Sequence, residues 1–273
     1  MPIDAAGRLH SLRNADGGFP PVAGAPSEPE PTALAAIALD DDGARDWLAR
    51  AQHEDGSFLL GPDVLRNDSA TPLAALALAP GAASDRALDY LLGHRAPTLG
   101  NDPRFPHDPA TQGWGWTSKT FGWVEPTARG LLGLRVLRPA AGEAIEDARR
   151  LLADRECSGG GWNYGNRQVL GTNLEPYLQT TAAALIGLQE PSNALVIRGM
   201  KVIDRLWLKE PGGLGLSMAL AAMRLNGQQR PRLAAALQRL VDQSELLLDG
   251  VSLAWTAIAL GPTIARLRVK VRG

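Results

Sequence analysis

Three glutamates occupy the same local setting: Glu30, Glu125 and Glu175 are each followed by proline at the start of an apolar run. A fourth acid, Asp68, precedes a fourth such run. Carboxyls gathered in one cavity can serve as general acids, because burial and mutual repulsion raise their pKa values. The same residues also suit a scaffold. Proline is favoured at the first helical position, and an acid there complements the helix dipole. Glu125 differs from the others in being set among aromatics. Trp114, Trp116, Phe121 and Trp123 precede it, and Trp162, Tyr164 and Tyr177 recur in the next segment of the same kind. Such π surfaces hold apolar chains and attract cations. Tryptophans in glycine turns can equally brace pairs of helices, a role that fits Trp114 or Trp116, and Trp162. Arg129 lies in an otherwise apolar run, where a buried arginine needs a carboxylate partner.

Other chemistries find less support. Cys157 is the single cysteine, which rules out an internal disulfide and a multi-cysteine zinc or iron–sulfur site. The histidines, His10, His53, His94 and His107, show no paired spacing, so neither metal nor cofactor is expected. A diphosphate site would need clustered cations near helix starts. Lys119, Arg129 and Arg167 are scattered instead. Asp40-Asp41-Asp42 reads as a helix cap and solvated turn. The net charge of −1 lacks the basic excess of a phosphate-binding protein, so nucleic acid is not an expected partner. No secretory signal and no apolar run of spanning length is apparent, and a cytoplasmic location is expected. The basic tail, Arg266 to Arg272, reads as a solvated end, with peripheral membrane contact as the lesser reading.

The elements that must position these residues are repeats. A glycine turn with an aromatic appears at Asp16-Gly17-Gly18-Phe19, Asp55-Gly56-Ser57-Phe58, Gln112-Gly113-Trp114-Gly115-Trp116 and Ser158-Gly159-Gly160-Gly161-Trp162. Weaker copies are Pro211-Gly212-Gly213-Leu214 and Asp249-Gly250. After each comes a run rich in alanine, glycine and leucine: Thr32 to Leu39, Thr71 to Leu78, Thr127 to Leu134, Thr181 to Leu188, Met218 to Leu225 and Leu253 to Leu260. These runs are apolar nearly all round, which predicts helices buried on every side. Amphipathic helices are predicted before the turns, at 44–52, 84–93, 143–155, 194–208 and 232–244. Two helices per repeat over about six repeats predict inner and outer helix rings. No repeat is polar enough to cap an open solenoid, which favours closure into an all-α (α/α) toroid. The chain reads as one such domain over 1–273, with repeats at about 8–262 and a basic tail at 263–273.

These turns and threonine–alanine helices resemble the repeats of squalene–hopene cyclases and of protein prenyltransferase β subunits, both α/α toroids. Trp123-Val124-Glu125-Pro126-Thr127-Ala128 and the stretch from Gly160 to Asn166 carry most of the likeness to short, single-toroid bacterial relatives. The resemblance implies binding of an isoprenoid or other apolar molecule in a central cavity. Aligned on Thr-Ala, Glu125 falls at the protonating position of the cyclases' Asp-x-Asp-Asp-Thr-Ala motif. Trp123 and Pro126 stand where that motif has its supporting aspartates. The Asp-x-Cys zinc ligands of the prenyltransferases are absent from the inner-helix starts, so no zinc is implied.

The resulting expectation is a cyclase- or prenyltransferase-like protein with Glu125 as candidate catalytic acid. Substrate would be met by Trp114, Trp116, Trp123, Trp162, Tyr164, Tyr177, Glu30, Asp68, Glu175 and Arg129. The alternative is a non-catalytic toroid that binds a peptide, lipid or partner protein.

Overall fold

The computed structural model describes residues 4–59, 66, 68–100, 106–243 and 249–270. It is an all-α toroid. The inner helices are α2 (Pro29–Leu39), α4 (Thr71–Leu78), α6 (Val124–Leu137), α8 (Leu178–Leu188), α10 (Gly213–Leu225) and α12 (Gly250–Leu260). They pack side by side in that order, and α12 closes the ring on α2. The outer helices α3 (Asp42–Ala51), α5 (Ala82–Gly93), α7 (Gly142–Asp154), α9 (Ala194–Leu206) and α11 (Pro231–Gln243) each pack on the inner helix before them. The sixth outer position is filled by α1 (Ala5–Ser11), which packs on α12. The final hairpin is therefore assembled from the first and last helices. Ser244 of the predicted fifth outer helix, and residues 271–273 of the tail, lie outside the described residues.

The two kinds of helix follow from their sequences. In α2 and α4 every residue of the Thr-to-Ala core is buried, and alanine lets the neighbouring backbones approach. Burying each leucine contributes about 1.5–3 kcal/mol. In α7, Ala148, Leu151 and Leu152 face inward while Arg149 and Arg150 between them reach solvent.

Threonine and the glycine turn are tied by a repeated clamp. The Oγ1 of Thr32 accepts from the Phe19 N–H at 2.9 Å and donates to the Phe19 carbonyl at 3.2 Å. Thr127 does the same to Trp114, at 3.1 and 3.3 Å. Thr181 does so to Trp162, at 3.0 and 3.2 Å. Each clamp satisfies a buried backbone N–H and fixes where the turn meets its helix. Glycine is required beside it. A Cβ on Gly161, whose φ is +71°, would lie 2.9 Å from Thr181 Oγ1. The aromatic of the turn then drives between the rings. Trp114 and Trp162 have no exposed surface, and their indole N–H groups donate to Leu91 and Leu152 carbonyls at 2.9 and 2.7 Å.

The connections are unequal. Residues 207–212 join α9 to α10 directly, whereas 94–100 with 106–123, and 155–177, belong to longer loops before α6 and α8. The second loop carries a two-stranded hairpin, β1 (Gln168–Val169) and β2 (Thr172–Asn173). At the opposite rim the tail is not a solvated end. A short 3-10 helix, Thr263–Leu267, packs on α2, α10 and α12. Leu267 and Val269 are buried, and Gln189 holds the tail by donating to the Leu267 carbonyl and accepting from the Val269 N–H. Among the described residues from Arg266 to Lys270, exposed and buried positions alternate without forming a strand.

Thr127→Val keeps the shape of the side chain but leaves the Trp114 N–H without its partner. It is expected to cost about 1–3 kcal/mol of stability in urea unfolding, with Thr127→Ser close to wild type.

Candidate functional site

All six inner helices start on one rim, and there the sequence aims its acids. Counted from the clamping threonines, the second residue back is Glu30 on α2, Glu125 on α6 and Gln179 on α8. The matching position on α4 is Ser69, two before Thr71. These four residues form one network around Arg129. Its Nη2 donates to Glu30 Oε1 and to Glu125 Oε1, both at 2.7 Å. Its Nη1 donates to Ser69 Oγ at 2.9 Å, and Gln179 Nε2 donates to Glu125 Oε2 at 3.3 Å. One guanidinium thus connects four consecutive inner helices.

The network is dry. Glu125 is 2% exposed and Arg129 7%. Burial pushes the Glu125 carboxyl up; Arg129 opposes this and Glu30 adds to it. Burial also disfavours the Arg129 charge, yet Glu30 and Glu125 more than offset it and raise its pKa. Both Glu125 oxygens accept hydrogen bonds, which is the bonding pattern of a carboxylate. The Trp116 ring lies over this floor, its centroid 5.7 Å from the Arg129 guanidinium. Trp116 and Tyr177 are part-exposed on the rim, and Tyr177 packs against Tyr164 with ring centroids 5.3 Å apart.

Several residues predicted to meet substrate lie elsewhere. Trp114 and Trp162 brace the two rings and present no surface to the rim. Glu175 is exposed beside Cys157, and Gln179 takes the place that matching Glu-Pro pairs assigned to it. Asp68 turns into the α4–α5 interface, where it accepts from the Tyr90 hydroxyl at 2.8 Å. Burial raises its pKa to about 6 against the lowering effect of that hydrogen bond. Tyr90 in turn stacks on His94. Burial raises the Cys157 thiol, which leaves it a poor nucleophile. Among the described residues no group of three His, Cys, Asp or Glu is placed to hold a metal ion, and no helix is long and apolar enough to cross a membrane.

A second feature of the rim has no signature in the sequence. The two extended loops enclose a cavity of about 410 Å³ lined by Leu99, Pro106, His107, Phe121, Trp123, Arg155 and Leu170, among others. Trp123 is the N-cap residue of α6, so the cavity adjoins the aromatic rim. Phe121 is 55% exposed and Leu170, in the turn between the two strands, is fully exposed. Arg155 ends α7 and is 7% exposed.

No family model and no curated protein matches the sequence. Solved structures do match the fold. One is a variant of the type II terpene cyclase MstE from Scytonema in complex with merosterolic acid A, its product. It has a TM-score of 0.61 and 14% identity, over 96% of this chain and 94% of that one. Another MstE variant, in complex with the substrate geranylgeranyl dihydroxybenzoate, matches with a TM-score of 0.51 and 14% identity over 96% and 95% of the two chains. A protein from Actinoplanes matches with a TM-score of 0.51 and 16% identity over 95% and 81%. The chain therefore shares the toroid fold of type II terpene cyclases.

The buried acids set two measurable effects. Arg129→Met strands Glu125 without a counter-charge and is expected to cost about 3–5 kcal/mol in guanidinium unfolding, with a smaller cost for Glu125→Gln, which leaves Arg129 paired with Glu30. Asp68 holds its proton to about pH 6 in the folded state, against an ordinary value of 3.8. Ionising it in the fold is the unfavourable step, so its penalty grows as pH rises from about 4 through 6 and is constant above. Asp68→Asn should raise the melting temperature at pH 8, with the gain shrinking as pH falls through 6, as read by calorimetry.

Proposed function

We propose that the protein binds a prenylated or comparably apolar small molecule on the loop-built rim, as a binding member of the terpene cyclase fold that does not donate a proton from Glu125. The observation that carries this reading is the cavity walled by Phe121, Trp123, Leu99 and Leu170. Its volume of about 410 Å³ falls within the usual range for small-molecule sites, roughly 300–1,000 Å³. Trp116, Tyr164 and Tyr177 extend the aromatic surface beside it. The MstE structures, whose bound molecules are geranylgeranyl dihydroxybenzoate and merosterolic acid A, favour an isoprenoid over other apolar ligands.

Proton donation to an alkene needs an acidic O–H aimed at substrate. Glu125 offers neither exposure nor a free oxygen, since Arg129 and Gln179 engage both. Glu125 acts instead as the counter-charge that lets Arg129 cross between helices. The alternative, a peptide or protein partner, is favoured by one feature: Leu170, a fully exposed leucine at the tip of the hairpin.

Isothermal titration with farnesol and geranylgeraniol tests the reading. Binding in the micromolar range is expected, weakened about tenfold by Phe121→Ala, which removes apolar surface from the cavity wall. Absence of binding to either alcohol would remove the isoprenoid assignment. Incubation with geranylgeranyl substrates should yield no cyclised product by mass spectrometry. A product that disappears in Glu125→Gln would restore the glutamate as acid.

A further inference from the structure

The cavity between the two loops has a charged end that apolar binding does not use. Arg155 lines it at 7% exposure. A guanidinium has five N–H donors. Among the described residues, two long hydrogen bonds engage them, Nη1 to the Gly165 carbonyl at 3.3 Å and Nη2 to Thr111 Oγ1 at 3.5 Å. Among the same residues Nε has no hydrogen-bond partner, although the Asp154 carboxylate lies 3.3 Å away as an ion-pair contact. The Asp154 oxygens also accept from the Asp108 N–H, at 3.1 Å each, so that carboxylate is shared. Arg155 is therefore a buried cation with spare donors at the edge of an apolar space. Burial lowers its pKa, Asp154 and Asp108 resist this, and the burial effect prevails. His107, on the same wall, is lowered first by burial and next by Arg155. The charges around this wall are two cations, Arg155 and Arg167, and two carboxylates, Asp154 and Asp108.

We propose that Arg155 receives the carboxylate head of an amphiphilic ligand whose apolar tail lies against Phe121, Trp123, Leu99 and Leu170. The assignment rests on the cavity reading above and adds the ligand's charge to it. A carboxylate suits the site better than a diphosphate. Two parallel N–H···O bonds satisfy a monoanion on one guanidinium, and such charge-assisted pairs are about twice as strong as neutral ones. A multiply charged head would need several cations, and it would meet Asp154 and Asp108 at close range. Arg167 stands near enough to act on Arg155 and His107 electrostatically, but it is absent from the cavity lining and its Nε is engaged by the Pro106 carbonyl at 2.7 Å. An incoming carboxylate would complete the unfilled donors of Arg155 without displacing any short hydrogen bond.

The test compares farnesoic acid with farnesol by isothermal titration on the full chain at pH 7.5, in wild type and in Arg155→Gln. Wild type should bind the acid at least tenfold more tightly than the alcohol. Arg155→Gln should keep the alcohol affinity and lose the preference. Phe121→Ala, at an exposed position, should weaken both ligands by the same factor. Equal affinity for acid and alcohol in wild type, or a preference that survives Arg155→Gln, overturns the head-group assignment and leaves the apolar cavity standing. Failure of both ligands to bind wild type overturns the cavity reading and this inference with it. If Arg155→Gln does not fold, the wild-type comparison decides.

Discussion

One guanidinium shared by two carboxylates holds the rim of this ring. Arg129 reaches from α6 to α2 and α4, and through Glu125 the network extends to α8. A bundle of alanine-rich helices has little else at this level to fix its spacing, because small side chains permit several close packings. A fork of directed hydrogen bonds selects one. The selection is costly to break, since Arg129 and Glu125 are buried and depend on each other. The same arrangement engages both Glu125 oxygens, one with Arg129 and one with Gln179.

The threonine clamps and glycine turns make a second, more general scaffold. They repeat because the problem repeats. Each clamped helix begins beneath a turn whose backbone N–H must be satisfied in a dry place, and one hydroxyl does this in both directions. Once that is settled, the loop before each helix is free to vary in length. The loops before α6 and α8 have used that freedom to build a cavity, while the one before α10 is a bare connection. The loop-built cavity is thus local to two neighbouring repeats, which also carry most of the rim's tryptophan and tyrosine.

Much of the architecture was legible in the sequence because its signals are periodic. Threonine–alanine runs, glycine turns and amphipathic stretches each recur, and the helices fall within a few residues of those marks. The candidate site was legible only in part. Arg129 and Glu125 were conspicuous, a charge in an apolar run and an acid among aromatics. Glu175 misled because Glu-Pro is a visible pair, whereas the true repeat mark is the threonine; two residues back from Thr181 stands Gln179. Asp68 lies one residue out of register with that layer and turns outward accordingly. Arg155 gave no signal at all. It sits between Asp154 and Glu156, in what reads as a solvated charged stretch, and only the fold of the two loops over it makes it a buried cation.

The last hairpin of the ring is not continuous in sequence, because α1 serves as the outer partner of α12. During synthesis, α2 is complete early but has no neighbour on one flank until α12 leaves the ribosome. Five hairpins can form in order from local contacts, yet none of them closes the circle. An apolar seam on α2 stays open until α12 has been made, the condition under which nascent chains associate with one another. The alanine-rich character of α2 suits that wait, since small side chains offer a less adhesive surface than leucine or phenylalanine would. The direct connection at 207–212 marks where the same circle could be opened instead. A chain permuted there would keep every helix pair and acquire a continuous α12–α1 hairpin, moving the late seam to the α8–α10 side.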